Sequence, residues 1–334
     1  MEQPWDVARA WVSVIVPVYN VRPYIEQALD SLAGQTHGAL EILLVDDGST
    51  DGSGEVCERY GAADPRIRVI HQPNRGLSAA RNTGLDAMTG DFVAFLDPDD
   101  AFHPEMIGRL LQELEDPEVD IAACGVGILE GRDVNPPPAP GRWGRARAME
   151  HLLRGTAVGI VVWNKLYRAR LFDGLRFPEG RVYEDVATTY RLLDRCRAVA
   201  VIPDKLALHR RRPGSISQTV TPASLRDLYT AHQERLDFFR RNVPKRYDAR
   251  LLRLVSSNME DSRIGSWNRL SLNTDAESRA YLRQLRREIL RHRGDLLAPT
   301  VKRRLCLALI ALCPPLGVLA NRLYHPIKQR WLRR

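Results

Sequence analysis

VDDGSTDGS at residues 45–53 and FLDPDD at residues 95–100 each place carboxylates directly behind a short apolar run. A buried strand that ends in acids delivers them to the C-terminal edge of an α/β sheet, where such sheets bind ligands. Asp97 and Asp99, one residue apart, make a hard oxygen site suited to Mg²⁺ or Mn²⁺. A cation of this kind rarely lacks a phosphate partner. The two strings therefore point to an enzyme that holds a metal–diphosphate complex.

The flanking sequence supplies the rest of such a sheet. Residues 11–18 (WVSVIVPV) are apolar and β-branched, as a buried strand should be. Residues 24–32 carry Ile25, Ala28, Leu29 and Leu32 at helical spacing and end near Gly34. Strands are then expected at 41–45, 67–71 and 92–96, with helices at 53–60 and 77–88 between them. This alternation predicts a parallel sheet with helices on both faces. No GxGxxG or P-loop pattern stands in these turns, so dinucleotide and P-loop readings lack their phosphate loop.

Seven strings in order now carry a resemblance. PVYN (17–20), the VDDGSTDGS string, NRGLSAARNTGL (74–85) and FLDPDD are followed by WNKLYR (163–168), FPEGRVYEDV (177–186) and RRPGSIS (211–217). Together they resemble family 2 glycosyltransferases over roughly residues 11–220. The resemblance implies a GT-A fold, a Rossmann-like and mostly parallel sheet flanked by helices. It implies an inverting, metal-dependent transfer of sugar from a nucleotide donor, most simply a UDP-sugar, to a hydroxyl of a surface glycan, polyol or lipid-linked acceptor. The expected layout is a catalytic domain at 1–222, with a nucleotide half at about 11–134 and an acceptor half at about 145–222. A smaller all-helical region follows at 223–334.

Residue by residue, the resemblance places Pro17 and Tyr19 beside the base, with Asp46 and Asp47 near its polar edge. Tyr19 equally reads as a core aromatic, and the two acids as turn caps aided by Gly48 and Ser49. Arg81 falls near the nucleotide or is a surface helix arginine. Asp99 is assigned to the metal and Asp97 to the ribose or the metal. Three acids within four residues repel one another unless a cation is present. Asp185 is the expected base, with Glu184 the alternative; acids also favour the first turn of a helix, which residues 186–193 resemble. Arg212, Ser215 and Ser217 are expected in a lid over the diphosphate, because arginines grip phosphate in a fork. Trp163, Asn164 and Lys165 are expected on the acceptor side, although residues 160–162 before them look like a buried strand that would make Trp163 core.

Composition bounds the alternatives. The chain has 334 residues and a net charge of +8. Residues 282–334 alone hold thirteen Lys/Arg and two acids, so residues 1–281 sum to −3. Basicity confined to the C-terminus, without a basic aromatic stripe, argues against a nucleic-acid partner. Five scattered cysteines with no CxxC pair read as reduced thiols. Residues 1–10 carry Glu2 and Asp6 and no apolar stretch, so no secretory leader is expected and a cytoplasmic protein is. Residues 135–144 (NPPPAPGRWG) bar a helix or a central strand. Residues 305–320 are apolar but broken by Pro314-Pro315, too short to span a bilayer. With Lys302–Arg304 before them and Leu316, Leu319, Leu323, Ile327 and Trp331 at helical spacing from their second half onward, the tail at 302–334 reads as attachment to an anionic membrane face, or as a packed helical hairpin. Two other functions remain: an inactive, membrane-recruited glycan-binding module, which the intact acids oppose, and a sugar-phosphate nucleotidylyltransferase, which would need a glycine-rich phosphate loop.

Overall fold

A computed structural model of the chain describes residues 10–133, 136–212, 220–291 and 301–318. It divides into two compact units, Met1–Pro213 and Gly214–Arg334. The first runs β1 (Val12–Val18), α1 (Ile25–Ala33), β2 (Leu40–Asp46), α2 (Ser53–Ala63), β3 (Ile67–His71), α3 (Leu77–Ala87), β4 (Phe92–Phe95), β5 (Ala101–Phe102), α4 (Met106–Glu113), β6 (Val119–Ile128), β7 (Gly141–Gly144), α5 (Arg145–Arg154), β8 (Lys165–Arg168), α6 (Glu184–Arg195) and β9 (Ala198–His209). The sheet order is β3-β2-β1-β4-β8-β6-β9-β5, with β7 at the edge beside β9. β3, β2, β1 and β4 are parallel to one another, and β6 is parallel to β9. β8 runs antiparallel between β4 and β6, so the sheet is mostly parallel but mixed.

The parallel part follows from its sequence. Every residue of Val12–Val18 is buried, as in a strand covered on both faces. Pro17 lies beyond Ile15, the last residue of β1 paired to β4, where its missing N–H breaks no ladder bond on that side. α3 sits close on β1 because residue 84 is glycine: a Cβ there would stand 2.4 Å from Cγ2 of Ile15. The strands and helices expected between 11 and 96 occur within about three residues of their expected ends. One expectation fails. Residues 160–162 are buried or half-buried but form no strand; pairing with β6 starts only where Cys124 N donates to Asn164 O. An apolar run specifies burial, not the extended backbone.

The second unit holds α7 (Pro222–Arg246), α8 (Ala249–Leu270), α9 (Ala276–Arg291) and α10 (Val301–Leu312). α7 starts at a reciprocal capping box, Thr221 with Ser224, and α8 at Asp248, which accepts from Leu251 N. Their core gathers Leu225, Trp267, Leu270, Tyr281, Leu285, Ile289, Leu307, Ile310 and Ala311. Part of the stretch expected as a membrane tail therefore packs inside this unit. The opposite side of the same stretch is bare: Leu305, Leu312 and Leu316 are 60%, 73% and 50% exposed. No helix among the described residues is long and apolar enough to cross a membrane. Leu319, Leu323, Ile327 and Trp331 lie outside the described residues.

Candidate active site

Three strand ends meet at one edge of the sheet. β1 ends at Tyr19 and Asn20, whose backbone is left-handed (φ 49°), a conformation asparagine tolerates. Asn20 Oδ1 accepts from Thr50 N at 2.9 Å, which ties the turn after β1 to the turn after β2. Tyr19 is 49% exposed, an open ring face rather than a core aromatic. Asp46 and Asp47 are both buried, and their roles differ. Asp46 accepts from Ser49 N at 3.0 Å and meets Nδ1 of His71 at 2.8 Å. Asp47 accepts from Gln72 Nε2, Arg75 N and Gly76 N at 2.6, 2.9 and 2.7 Å. It thus shapes the backbone loop that leads into α3.

After β4 the three acids divide. Asp97 Oδ1 accepts from Arg81 at 2.7 Å, and Asp99 Oδ2 from Arg212 Nε at 2.5 Å. Asp100 turns inward and accepts from Arg210 N at 2.8 Å and meets His209 Nδ1 at 3.0 Å, fastening the end of β9 to this turn. The rings of Trp163 and His209 stack 5.4 Å apart. Burial, together with the charges of Asp100 and Asp99, pushes Asp97 up to about 6. Arg210 and Arg212 both lie over the ring of Tyr24, at 5.3 and 5.2 Å. Ser215 and Ser217 lie outside the described residues.

Asp97 Oδ2 and Asp99 Oδ1 have no hydrogen-bond partner among the described residues. Two hard carboxylates that each keep an oxygen in reserve fit a Mg²⁺- or Mn²⁺-type cation, which takes one or two protein ligands and fills its shell with phosphate and water. Among the described residues no third acid, histidine or cysteine joins them, so the remaining ligands would come from the nucleotide.

The acceptor-half residues converge from the far side. Glu184 and Asp185 open α6, behind Tyr183, whose backbone is left-handed (φ 62°). Asp185 Oδ1 accepts from Val186 N at 2.7 Å, and Oδ2 has no partner among the described residues. Burial and the neighbouring Glu184 push Asp185 up to about 6. Glu184 Oε1 instead accepts from Arg81 at 2.5 Å. Asn164 Nδ2 donates to Cys124 O, and Lys165 Nζ donates to Asn164 Oδ1. Burial brings the Lys165 ammonium down to about 7. Asn164 and Lys165 are thus buried and spent on internal bonds; only Trp163 of the three keeps partial exposure.

Residues 13–176 match the family described as "Glycosyl transferase family 2". The chain is 37% identical over 238 residues to "Uncharacterized glycosyltransferase EpsJ" of Bacillus subtilis, 68% of this chain and 69% of that one. The chain belongs to glycosyltransferase family 2. This glycosyltransferase is also 29% identical over 231 residues, 69% of its length and 90% of the relative's, to "Putative teichuronic acid biosynthesis glycosyltransferase TuaG" of Bacillus subtilis. The crystal structure of Staphylococcus aureus TarS 1–349 with UDP-GlcNAc overlays with a TM-score of 0.75 at 23% identity, covering 95% of this chain and 92% of that one, a likeness of fold.

The site of this glycosyltransferase holds contacts that local sequence does not announce. Arg81 bridges Asp97 and Glu184, a residue 103 positions away. Tyr24 carries two arginines, and Asp100 anchors β9. The one local signal was the density of acids at 97–100, which exceeds what one turn needs. It could not say which acid turns inward.

Proposed function

We propose that this glycosyltransferase moves a sugar from a UDP-sugar to an acceptor hydroxyl with inversion at the anomeric carbon, and that a divalent cation assists. The observation that carries the reading is the asymmetry of the Glu184-Asp185 pair. Glu184 is spent on Arg81, while Asp185, lifted to about 6, keeps an oxygen with no partner among the described residues. A carboxylate with that poise is a base suited to neutral pH. Asp185 takes the proton of the acceptor hydroxyl as its oxygen bonds to the anomeric carbon. The bond from that carbon to the β-phosphate oxygen breaks on the opposite face, and UDP leaves.

Tyr19 offers its exposed ring to the base, beside Pro17, while Asp47 sets the loop at the base's polar edge. Asp97 and Asp99 would hold the cation, which when bound would supply Lewis-acid stabilisation to the departing diphosphate. Arg212, with Ser215 and Ser217, covers the same charge. Trp163 stands on the acceptor side. The acceptor class, a cell-surface glycan or its lipid-linked precursor, is supported by the teichuronic-acid relative. A place on the inner membrane face is supported by the bare leucines of α10 and the basic tail.

The test is a screen of nucleotide sugars for hydrolysis, which needs no acceptor, with and without Mn²⁺. A UDP-sugar should be hydrolysed only with the cation, and Asp99→Asn should lose Mn²⁺-dependent UDP binding in calorimetry. Equal UDP affinity with and without Mn²⁺ sinks the metal role.

A further inference from the structure

Arg81 is an unusual side chain to enclose. It projects from α3, is almost wholly buried, and lies over the rings of Phe177 and Phe95 at 5.4 and 6.0 Å. Its two terminal nitrogens donate to carboxylates from distant parts of the chain, Asp97 at 2.7 Å and Glu184 at 2.5 Å. Its Nε has no hydrogen-bond partner among the described residues. Desolvating a guanidinium against aromatic rings costs so much that apolar groups of the same volume usually serve stability as well or better. Stability therefore gives no reason for this arrangement; geometry does. Glu184 follows Tyr183, held at φ 62°, a conformation disfavoured for a side chain of that bulk. Something must keep the first turn of α6 where it is, and the only salt bridge on that turn among the described residues comes from Arg81.

We propose that Arg81 is a positioning residue for sugar transfer: one guanidinium fixes the span between Asp97, on the nucleotide side, and the Glu184-Asp185 turn, on the acceptor side. It touches neither donor nor acceptor. This rests on Asp185 as the base. Through Arg81, Glu184 is taken out of the chemistry and its neighbour is held in place.

The experiment uses the full chain and three variants, Arg81→Lys, Glu184→Gln and Asp185→Asn. Arg81→Lys keeps the charge but cannot span two carboxylates with a rigid fork. Misplacing a reacting group by about 1 Å costs roughly 10²-fold in rate, so kcat for hydrolysis of the donor found by the screen should fall on that scale, by much more than UDP–Mn²⁺ affinity, which changes only through Asp97. Hydrogen exchange, which needs no substrate, should quicken at residues 184–187 and stay unchanged in β1 and β2. The pH profile supplies a sign test. Asp185 is faced by Glu184 on its own helix, by Arg81 and Asp97, and by Lys165 and Tyr167 of β8. Glu184→Gln removes a negative neighbour, so the acid limb should move to lower pH even as kcat falls.

Exchange that quickens everywhere makes Arg81 merely structural and overturns the proposal. So does lost UDP affinity with kcat intact, which would put Arg81 on the nucleotide, and so does an Arg81→Lys enzyme of wild-type kcat. Near-normal turnover by Asp185→Asn overturns the base itself, a separate failure read in a separate variant.

Discussion

At the scale of the residue, Asp185 and Lys165 show how burial decides chemistry. Each would carry full charge at neutral pH in water. Enclosure moves the acid up to about 6 and the ammonium down to about 7. A base acts only when ionised, so kcat/KM should be level above about pH 6 and fall as pH drops through that value, tenfold per unit. Asp185→Asn keeps the shape and removes the basicity. It should lower kcat by ~10²-fold or more with donor affinity little changed. Steady-state kinetics across pH 4.5–8, paired with UDP calorimetry, reads both; a flat profile down to pH 5 would assign the proton to another group.

At the scale of the element, the strands were the legible part. VIVPV, ILLV and FVAF are buried on both sheet faces, and that duty is written in each residue of these runs. The acids that end them are local too. What the sequence withheld is pairing between distant elements: Arg81 on a helix reads as a surface arginine until α6 arrives with Glu184. Residues 160–162 misled for the opposite reason, since hydrophobicity reports burial and not backbone shape. The seat of α3 on β1 gives the element-scale prediction. Gly84→Ala drives a methyl into Ile15, whose branched side chain has little room to yield. Overpacking of this kind costs about 1–3 kcal/mol. Thermal denaturation should show a clear loss for Gly84→Ala, and little change for Gly159→Ala, where a Cβ meets nothing within 4 Å.

At the scale of the whole molecule, the helical unit has a core of its own and an apolar side that nothing among the described residues covers. Leu307, Ile310 and Ala311 belong to that core, so removing residues 302–334 would strip the unit as well as the tail. Leu312→Ser with Leu316→Ser is the cleaner change, since both leucines are exposed. Flotation with vesicles rich in phosphatidylglycerol should carry the wild-type protein upward at low salt and less of it as salt rises. The double variant should stay down with an unchanged Tm; if both float alike, the tail's arginines act without the leucines. The Asp99–Arg212 pair has a consequence of another kind. Arg212 serves the crowded acids as an internal counter-ion, so loading the proposed site with a cation would be an exchange rather than an addition. On the proposed reading Arg212 would give up one anion as it gained another, passing from Asp99 to the diphosphate. If the proposed cation site holds, order of arrival would follow from the charge balance: a cation bound together with its nucleotide would replace Arg212 at Asp99 and leave that guanidinium free for the diphosphate.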